Sequence, residues 1–265
     1  MNERIGLAEI RLVVCDIEGC LTINKKQPID TGTLTKIHAY CELARHGEKP
    51  PIVLCTGRPQ PYAEAIIQSL DAFFPNFPSI VENGCFLYDP VEDAVIANPA
   101  IEGREKELRQ VRIFLEENIV AKRLAKIEPG KELCISLNPF FGQTVENLFH
   151  FTLKLLPQEI KNLVFVTFSS SAVDITPKGV NKASGLEFLS RRTGIAFAEM
   201  IGIGDTSGDF PMLELVGHPA CPANARQEVI DLVKKRSGYV AKASNTSGVW
   251  DILLHHNLMK SGGRK

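Results

Sequence analysis

The hydrophobic positions of this chain fall into short uninterrupted runs that alternate with stretches of helical periodicity. The runs RLVVCD, PIVLCT and SIVENG have the length of strands and do not alternate between apolar and polar residues. Helical stretches near residues 30–45 and 61–74 separate them. Buried strands separated by helices are typical of a parallel sheet that is covered on both faces. The pattern therefore predicts an α/β fold with a doubly wound core.

A different pattern follows Phe86. The segment FLYDPVEDAVIANP predicts two short strands around a turn, and residues 102–126 predict a helix with one apolar face. Further strands are predicted in ELCISLN, NLVFVTFSS and SAVDITP, with a helix over residues 142–156. The α/β pattern then resumes with a helix over residues 180–193, the strand MIGIGD and three more helices. We predict a core of residues 1–86 and 178–265, interrupted by an inserted α+β cap of residues 87–177.

Composition and charge restrict the possible partners. The chain has 265 residues, 44% of them apolar, and a formal charge of −1 with no long basic run, so nucleic acid is not an expected partner. About 18 consecutive apolar residues would be needed to span a membrane, and the sequence contains no such run. The N-terminal residues also lack the apolar segment of a secretory signal. The seven cysteines have no C-x-x-C spacing, which favours buried reduced thiols and a cytoplasmic protein.

Polar side chains follow three of the predicted core strands. Asp16 and Glu18 follow the first strand, Thr56 follows the second, and Asp205 follows MIGIGD. The carboxyl ends of parallel strands meet at one edge of a sheet, where ligands bind. Carboxylates that gather there need a cation to remain ionised side by side, and all-oxygen ligation favours Mg²⁺. The sequence therefore predicts a magnesium site at this edge.

This arrangement suits phosphoryl transfer. A carboxylate such as Asp16 can attack phosphorus and form an aspartyl-phosphate. Mg²⁺, Thr56 and Lys182 would neutralise the phosphoryl oxygens. Glu18, a second acid, could protonate the leaving oxygen and later activate the hydrolytic water.

Four motifs in order carry a resemblance to a known family. CDIEGCLT is similar to a D-x-D-G-T loop, VLCTGRP to a Ser/Thr motif ending in T-G-R, ITPKGVNKASGL to a lysine motif, and IGIGDTSGD to a G-D-x-x-x-D motif. VENGCFLYD and HPACPANARQEV are similar to the segments that flank these motifs. Together they resemble the haloacid-dehalogenase-like phosphatases, in the Cof-type or sugar-phosphate-phosphatase branch that has a large α+β cap.

The resemblance implies a role for each matching residue. Asp16 would be the nucleophile and a metal ligand, Lys182 would bridge the nucleophile and the phosphate, and Asp205 would bind Mg²⁺. Asp209 would support the metal directly or through a neighbour, and Glu18 would offer its backbone carbonyl as a ligand. The predicted substrate-binding residues are Thr56, Gly57, Arg58, Asn83 and Lys182.

Two positions depart from the family pattern. Glu18 stands where the pattern has Asp, and Gly208 stands where this branch commonly has Asn. One methylene moves a carboxyl by about 1.5 Å, and a catalytic group that is misplaced by about 1 Å can lose about 100-fold in rate. Both departures bear on activity rather than on fold.

Other interpretations of these residues remain open at this point. Thr56 could cap the helix that begins near Pro59, and Arg58 could be a surface charge. Asn83 could simply form a turn with Gly84.

The lysine and the acidic loop also have alternatives. Lys178 competes with Lys182 as the active-site amine. Asp205 and Asp209 could cap the following helix. The glycines of GIGDTSG have the wrong spacing, and come too late in the chain, for a dinucleotide loop.

The predicted function is magnesium-dependent hydrolysis of a small phosphorylated metabolite, a sugar or polyol phosphate in the branch that is resembled. Ser136, Asn138 and Lys131 of the predicted cap are candidates for contacts with the leaving group. A binding or regulatory protein with a misplaced Glu18 is an alternative, and so is a phosphotransferase or mutase on the same scaffold. The sequence does not indicate the oligomeric state.

Overall fold

The computed structural model describes residues 9–168 and 172–259. Its strands, in chain order, are β1 (Leu12–Cys15), β2 (Ile52–Leu54), β3 (Ser79–Val81), β4 (Phe86–Asp89), β5 (Ala94–Ala97), β6 (Ala125–Ile127), β7 (Ile135–Pro139), β8 (Val164–Phe168), β9 (Val173–Pro177), β10 (Met200–Ile203), β11 (His218–Cys221) and β12 (Tyr239–Val240). Its α-helices are α1 (Thr31–Arg45), α2 (Gln60–Leu70), α3 (Glu105–Leu115), α4 (Val145–Leu155), α5 (Gln158–Leu163), α6 (Lys182–Thr193), α7 (Phe210–Leu215), α8 (Gln227–Lys235) and α9 (Asn245–His255).

A five-stranded parallel sheet forms the core, in the order β12-β11-β10-β1-β2. All four residues of β1 are buried, and successive side chains enter two different hydrophobic clusters. Val13 packs in the cluster that contains Ile37 of α1 and Ile252 of α9. Val14 packs in the cluster that contains Leu186 of α6 and Val229 of α8. Helices therefore cover both faces of the sheet, and the predicted doubly wound α/β fold is confirmed.

Two antiparallel sheets accompany the core. Strands β3, β4 and β5 form the first, which is joined to the core by a parallel bridge between Cys55 and Ile80. The second has the order β6-β7-β9-β8 and is built entirely from residues 125–177. We call residues 105–177, which contain this second sheet and α3 to α5, the cap segment. The domain bounds predicted from the sequence stay a prediction.

Several elements differ from the prediction. The helix predicted over residues 102–126 ends as α3 at Leu115 and continues as one π-helical turn, Glu116–Val120. Arg123 has a left-handed φ of 56°, and the chain then enters β6. Helix α5 and strands β6, β11 and β12 were not predicted. The junction of the predicted strands NLVFVTFSS and SAVDITP falls on residues 169–171, outside the described residues.

Two further predictions concern the chain as a whole. All seven cysteines are buried and free, as predicted. Within residues 9–168 and 172–259, no helix has both the length and the apolar character needed to cross a membrane.

Candidate active site

Three carboxylates converge beyond the carboxyl ends of β1 and β10. Asp16 directly follows β1, Asp205 follows β10 by two residues, and Asp209 ends a short 3-10 turn before α7. One oxygen of each carboxylate lies within 4.8 Å of the others. The parallel register of β1 with β10, in which Cys15 is opposite Ile203, produces this convergence.

The Asp16 carboxylate is held from two sides. Its Oδ1 accepts the backbone N–H of Ile17 at 2.8 Å and lies 3.0 Å from Nζ of Lys182. The residue is only 8% exposed. Burial raises the pKa of Asp16 to about 7, and Asp209 adds to this rise, while Lys182 opposes it. A cation that arrived at this group would compete with a proton.

Lys182 is the first residue of α6, and its side chain points into the carboxylate group. The Nζ donates to Oδ1 of Asp209 at 2.6 Å and contacts Asp16, and the side chain is 5% exposed. Burial opposes the charged form, but Asp16 and Asp209 outweigh it and raise the pKa of Lys182 well above its usual value. Lys178, the competing amine, instead lies with its Nζ 5.9 Å from the ring centroid of Phe165.

Asp205 has an oxygen that suits a metal ion. Its Oδ1 is buried and accepts no hydrogen bond from the described residues. Burial raises its pKa to about 8, with Asp16 and Asp209 contributing. Gly19 has a φ of 76°, and a Cβ at this position would lie 1.9 Å from Oδ2 of Asp205. This oxygen therefore lies beside a second carboxylate, in a space that only glycine at position 19 leaves open. The arrangement fits a divalent cation with oxygen ligands.

Asp209 is fully buried and its oxygens already have donors. Oδ1 accepts from Lys182, and Oδ2 accepts the backbone N–H groups of Asp205 and Thr206, each at 3.0 Å. It therefore fixes both the lysine and the loop that carries Asp205. Its role in metal binding stays a prediction, and these contacts favour support through neighbours over direct ligation.

Glu18 is not brought into the carboxylate group. Its Oε1 lies 2.7 Å from Nη2 of Arg58, and its side chain is 40% exposed. Arg58 in turn donates to Glu128 of the cap segment at 2.6 Å. The Arg58 side chain is 11% exposed, so it is not the surface charge that one interpretation allowed.

The remaining predicted binding residues surround these groups. Thr56 follows β2 by two residues, is 2% exposed, and its Oγ1 accepts the backbone N–H of Arg58 at 3.1 Å. It does not cap α2, because Pro59 is the N-cap residue and provides no side-chain bond. Gly57 and Asn83 both line the cavity beside Asp16. Asn83 also forms the turn with Gly84, since both residues have left-handed φ values, 56° and 99°.

A cavity of about 830 Å³ joins this group to the cap segment. Asp16, Lys182 and Asp205 line one side of it. The opposite side carries a buried polar cluster in which Nζ of Lys131 donates to Oγ of Ser136 at 2.6 Å, and Ser136 donates to Asp174. Asp174 was not predicted, although it is the one charged residue in the apolar run SAVDITP.

Glu82 ties the cap segment to the core near this cavity. Its carboxylate accepts the backbone N–H groups of Glu132, Leu133 and Cys134 at 2.8, 3.0 and 2.9 Å. The side chain is 2% exposed, and burial raises its pKa despite these three bonds. The contact joins residues about 50 positions apart, so no local pattern could have indicated it.

Comparison with known proteins shows similarity to phosphatases. A family model described as haloacid dehalogenase-like hydrolase matches residues 135–253. A phosphoglycolate phosphatase of Thermoplasma volcanium is 28% identical over 254 residues, which cover 94% of this chain and all of that protein. Residues 135–253 are therefore similar to the haloacid dehalogenase-like hydrolases. The resemblance inferred from the four motifs is thus confirmed, and so is the prediction of a phosphoric monoester hydrolase.

Solved structures share the fold of this hydrolase. A Thermoplasma acidophilum protein superposes with a TM-score of 0.71 at 23% identity, covering 95% of this chain and all of that one. A sucrose-phosphatase from Synechocystis, crystallised with sucrose and phosphate, gives a TM-score of 0.69 at 18% identity, covering 94% and 99%. Identities this low speak for the fold alone, and the roles of individual residues in this hydrolase rest on its own geometry.

Proposed function

We propose that this chain is a magnesium-dependent phosphatase that hydrolyses a small phosphate monoester through a phosphorylated Asp16. The observation that carries the proposal is the placement of Asp16 at one side of the cavity, 3.0 Å from the buried ammonium of Lys182. Beside it lies the buried Oδ1 of Asp205, which accepts no hydrogen bond within the described part of the chain. Such a site combines a fixed nucleophile with the positive charge that a phosphoryl group needs.

The residues divide the reaction between them. The Asp16 carboxylate would attack phosphorus while the bond to the leaving oxygen breaks, and Lys182 would balance the charge on the phosphoryl oxygens. Water would then attack the acyl phosphate, release inorganic phosphate and restore Asp16. Asp16 and Asp205 would hold Mg²⁺, which supplies Lewis-acid stabilisation of the phosphoryl charge. Asp209 would keep Lys182 and the Asp205 loop in place.

The cavity supports a leaving group of sugar or polyol size. Its volume of about 830 Å³ lies toward the upper end of the range for small-molecule sites, roughly 300–1,000 Å³. Lys131, Ser136 and Asp174 present donors and acceptors opposite the carboxylate group, which suits hydroxyl groups. A solved structure of the same fold is named a sucrose-phosphatase, which agrees with this class, whereas the relative named phosphoglycolate phosphatase points to a carboxylic phosphate. We infer a sugar or polyol phosphate as the substrate class.

One observation favours a second candidate, a phosphate-binding protein with weak turnover. Glu18, the candidate acid, is paired with Arg58 rather than with the carboxylate group. If Glu18 cannot reach the leaving oxygen, Asp16 and Lys182 could still bind phosphate without efficient cleavage. Glu18→Asp would then raise phosphate release from a negligible level, whereas it would not do so in an efficient phosphatase.

Phosphate release from a panel of sugar, polyol and carboxylic phosphates tests the function. The panel is assayed with Mg²⁺ and with a chelator, for the wild type and for Asp16→Asn. Asp231→Asn on the exposed surface of α8 removes the same charge far from the motif residues and is the matched control. We expect release only with Mg²⁺, and only from the wild type and the control. Equal release by wild type and Asp16→Asn would end the proposal.

A further inference from the structure

Arg58 lies between two acidic residues that belong to different parts of the molecule. Its Nη2 is 2.7 Å from Oε1 of Glu18, in the loop after β1. Its Nη1 is 2.6 Å from Oε1 of Glu128, which follows β6 in the cap segment. Glu128 also lies 3.9 Å from Nζ of Lys25, but among the described residues it is the Arg58 guanidinium that contacts both acids, with one nitrogen to each.

The guanidinium is held by the ring of Tyr62 as well as by the two carboxylates. The Arg58 side chain is 11% exposed, and its Cζ lies 4.7 Å from the ring centroid of Tyr62. A guanidinium is planar and always charged, so its two terminal nitrogens keep a constant relative direction. Movement of Glu128 would therefore change the direction in which Arg58 holds Glu18. Glu128 is only 15% exposed, which makes the charged contact with Arg58 costly to break.

The length of Glu18 is what allows this contact. The family motif has Asp at this position, and an Asp carboxylate would lie about 1.5 Å closer to the backbone. From there it would fall outside hydrogen-bond distance of Nη2, which Glu18 reaches at 2.7 Å. The departure from the motif thus creates a link to the cap segment that an aspartate could not make.

We propose that Arg58 is a positioning residue that couples the placement of Glu18 to the seating of Glu128 and the cap segment. The inference rests on the proposed function and adds to it Glu18 as the acid for the leaving group. With the cap segment seated, the bridge Glu128–Arg58–Glu18 holds the acid in one orientation. When the segment moves away, Arg58 loses one of its two partners and Glu18 loses its fixed direction.

The test uses Glu128→Gln, which keeps the shape of the side chain and removes its charge. Glu132→Gln, on an exposed residue of the same segment, is the matched control. The kcat/KM values are compared, in the presence of Mg²⁺, for two test phosphates, phosphoglycolate and p-nitrophenyl phosphate. An alkyl oxygen must be protonated as it leaves, whereas p-nitrophenolate leaves readily without a proton. We expect Glu128→Gln to lower kcat/KM about tenfold for phosphoglycolate and less than about twofold for p-nitrophenyl phosphate.

A double-mutant cycle identifies the route of the effect. In a Glu18→Asp background the acid does not reach Arg58, so Glu128→Gln should cause no further loss. The proposal is overturned if Glu128→Gln leaves kcat/KM unchanged for both phosphates or lowers it equally for both. It is also overturned if Glu128→Gln lowers kcat/KM by the same factor in the Glu18→Asp background. An effect of the same size in Glu132→Gln would also overturn it.

Hydrogen exchange gives a readout that does not need turnover. Amide exchange in β6 and the residues up to Glu128 should accelerate in Glu128→Gln and stay unchanged in Glu132→Gln. A wild type without phosphatase activity would defeat the proposed function. The exchange experiment would still show whether the Arg58–Glu128 link holds the cap segment, and unchanged exchange would defeat the link itself.

Discussion

Replacement of Gly19 by alanine tests whether the space that this glycine leaves beside the Asp205 carboxylate is needed for metal binding. The added methyl group would lie 1.9 Å from Oδ2 of Asp205, whereas real Cβ contacts stay beyond 3.0 Å, so the carboxylate would have to move by about 1 Å. The left-handed φ of 76° adds a backbone cost of about 1 kcal/mol for alanine. In a protein of this size such a cost lowers Tm by about 2–4 °C. We expect kcat/KM to fall about 100-fold and Mg²⁺ affinity to fall at least about tenfold.

Gly47→Ala separates these two effects. Gly47 has nearly the same φ, 75°, but a Cβ there would meet nothing within 4 Å. It should lose the same few degrees of Tm and keep wild-type Mg²⁺ affinity and activity. Mg²⁺ binding is measured by calorimetry, and kcat/KM is measured at saturating Mg²⁺ and at low Mg²⁺. Wild-type Mg²⁺ affinity in Gly19→Ala, or an equal loss in Gly47→Ala, would refute the reasoning.

Three further predictions concern the rest of the molecule. Glu82→Gln places an amide against three backbone N–H groups in a buried site, so urea unfolding should show a loss of about 1–3 kcal/mol, and unchanged stability would contradict this account. Removal of divalent cations should abolish phosphate release and lower Tm, with both restored by Mg²⁺; release that survives a chelator would count against the metal site. Burial, with His255 and His218, lowers the pKa of His256 to about 4. The unfolded chain therefore takes up a proton below about pH 6.5 that the folded chain takes up only near pH 4, and stability falls as pH falls between these values. His256→Phe should remove about 2 kcal/mol of that loss between pH 7 and 4.5. If the free energy of unfolding of this variant, measured with denaturant, falls with pH as steeply as that of the wild type, His256 is not the cause.

Elements whose pattern is complete within a few residues could be predicted from the sequence. The uninterrupted apolar run Leu12–Cys15 is buried on both faces, so its composition alone indicates a central strand. Strand β11 contains Pro219, and β12 has only two residues, so neither carries such a pattern. The helix predicted through residue 126 failed for another reason, because apolar spacing continues past Leu115 while Arg123 turns the backbone away.

The candidate site also has features that could be predicted from the sequence and features that could not. The convergence of Asp16 and Asp205 follows from strand ends in a parallel sheet, a rule that needs only strand assignments. The contact of Glu18 with Arg58 could not be predicted, because 40 residues separate them, and Arg58 and Glu128 lie 70 residues apart. The three bonds to Glu82 are equally non-local. Contacts of this kind depend on how segments pack, which one sequence does not encode in any short window.

The place of β1 in the sheet has a consequence for how the chain is made. Leu12–Cys15 lies between β2 and β10, and its pairing with Met200–Ile203 spans the whole intervening segment. A growing chain on the ribosome would therefore carry β1 with one unsatisfied edge until β10 has emerged. Strand pairing between distant segments slows folding, and until it occurs the apolar strands are exposed and prone to aggregate. We expect nascent fragments that end before Met200 to need chaperone protection, and the contact between Asp16 and Lys182 to form only after β10 has emerged.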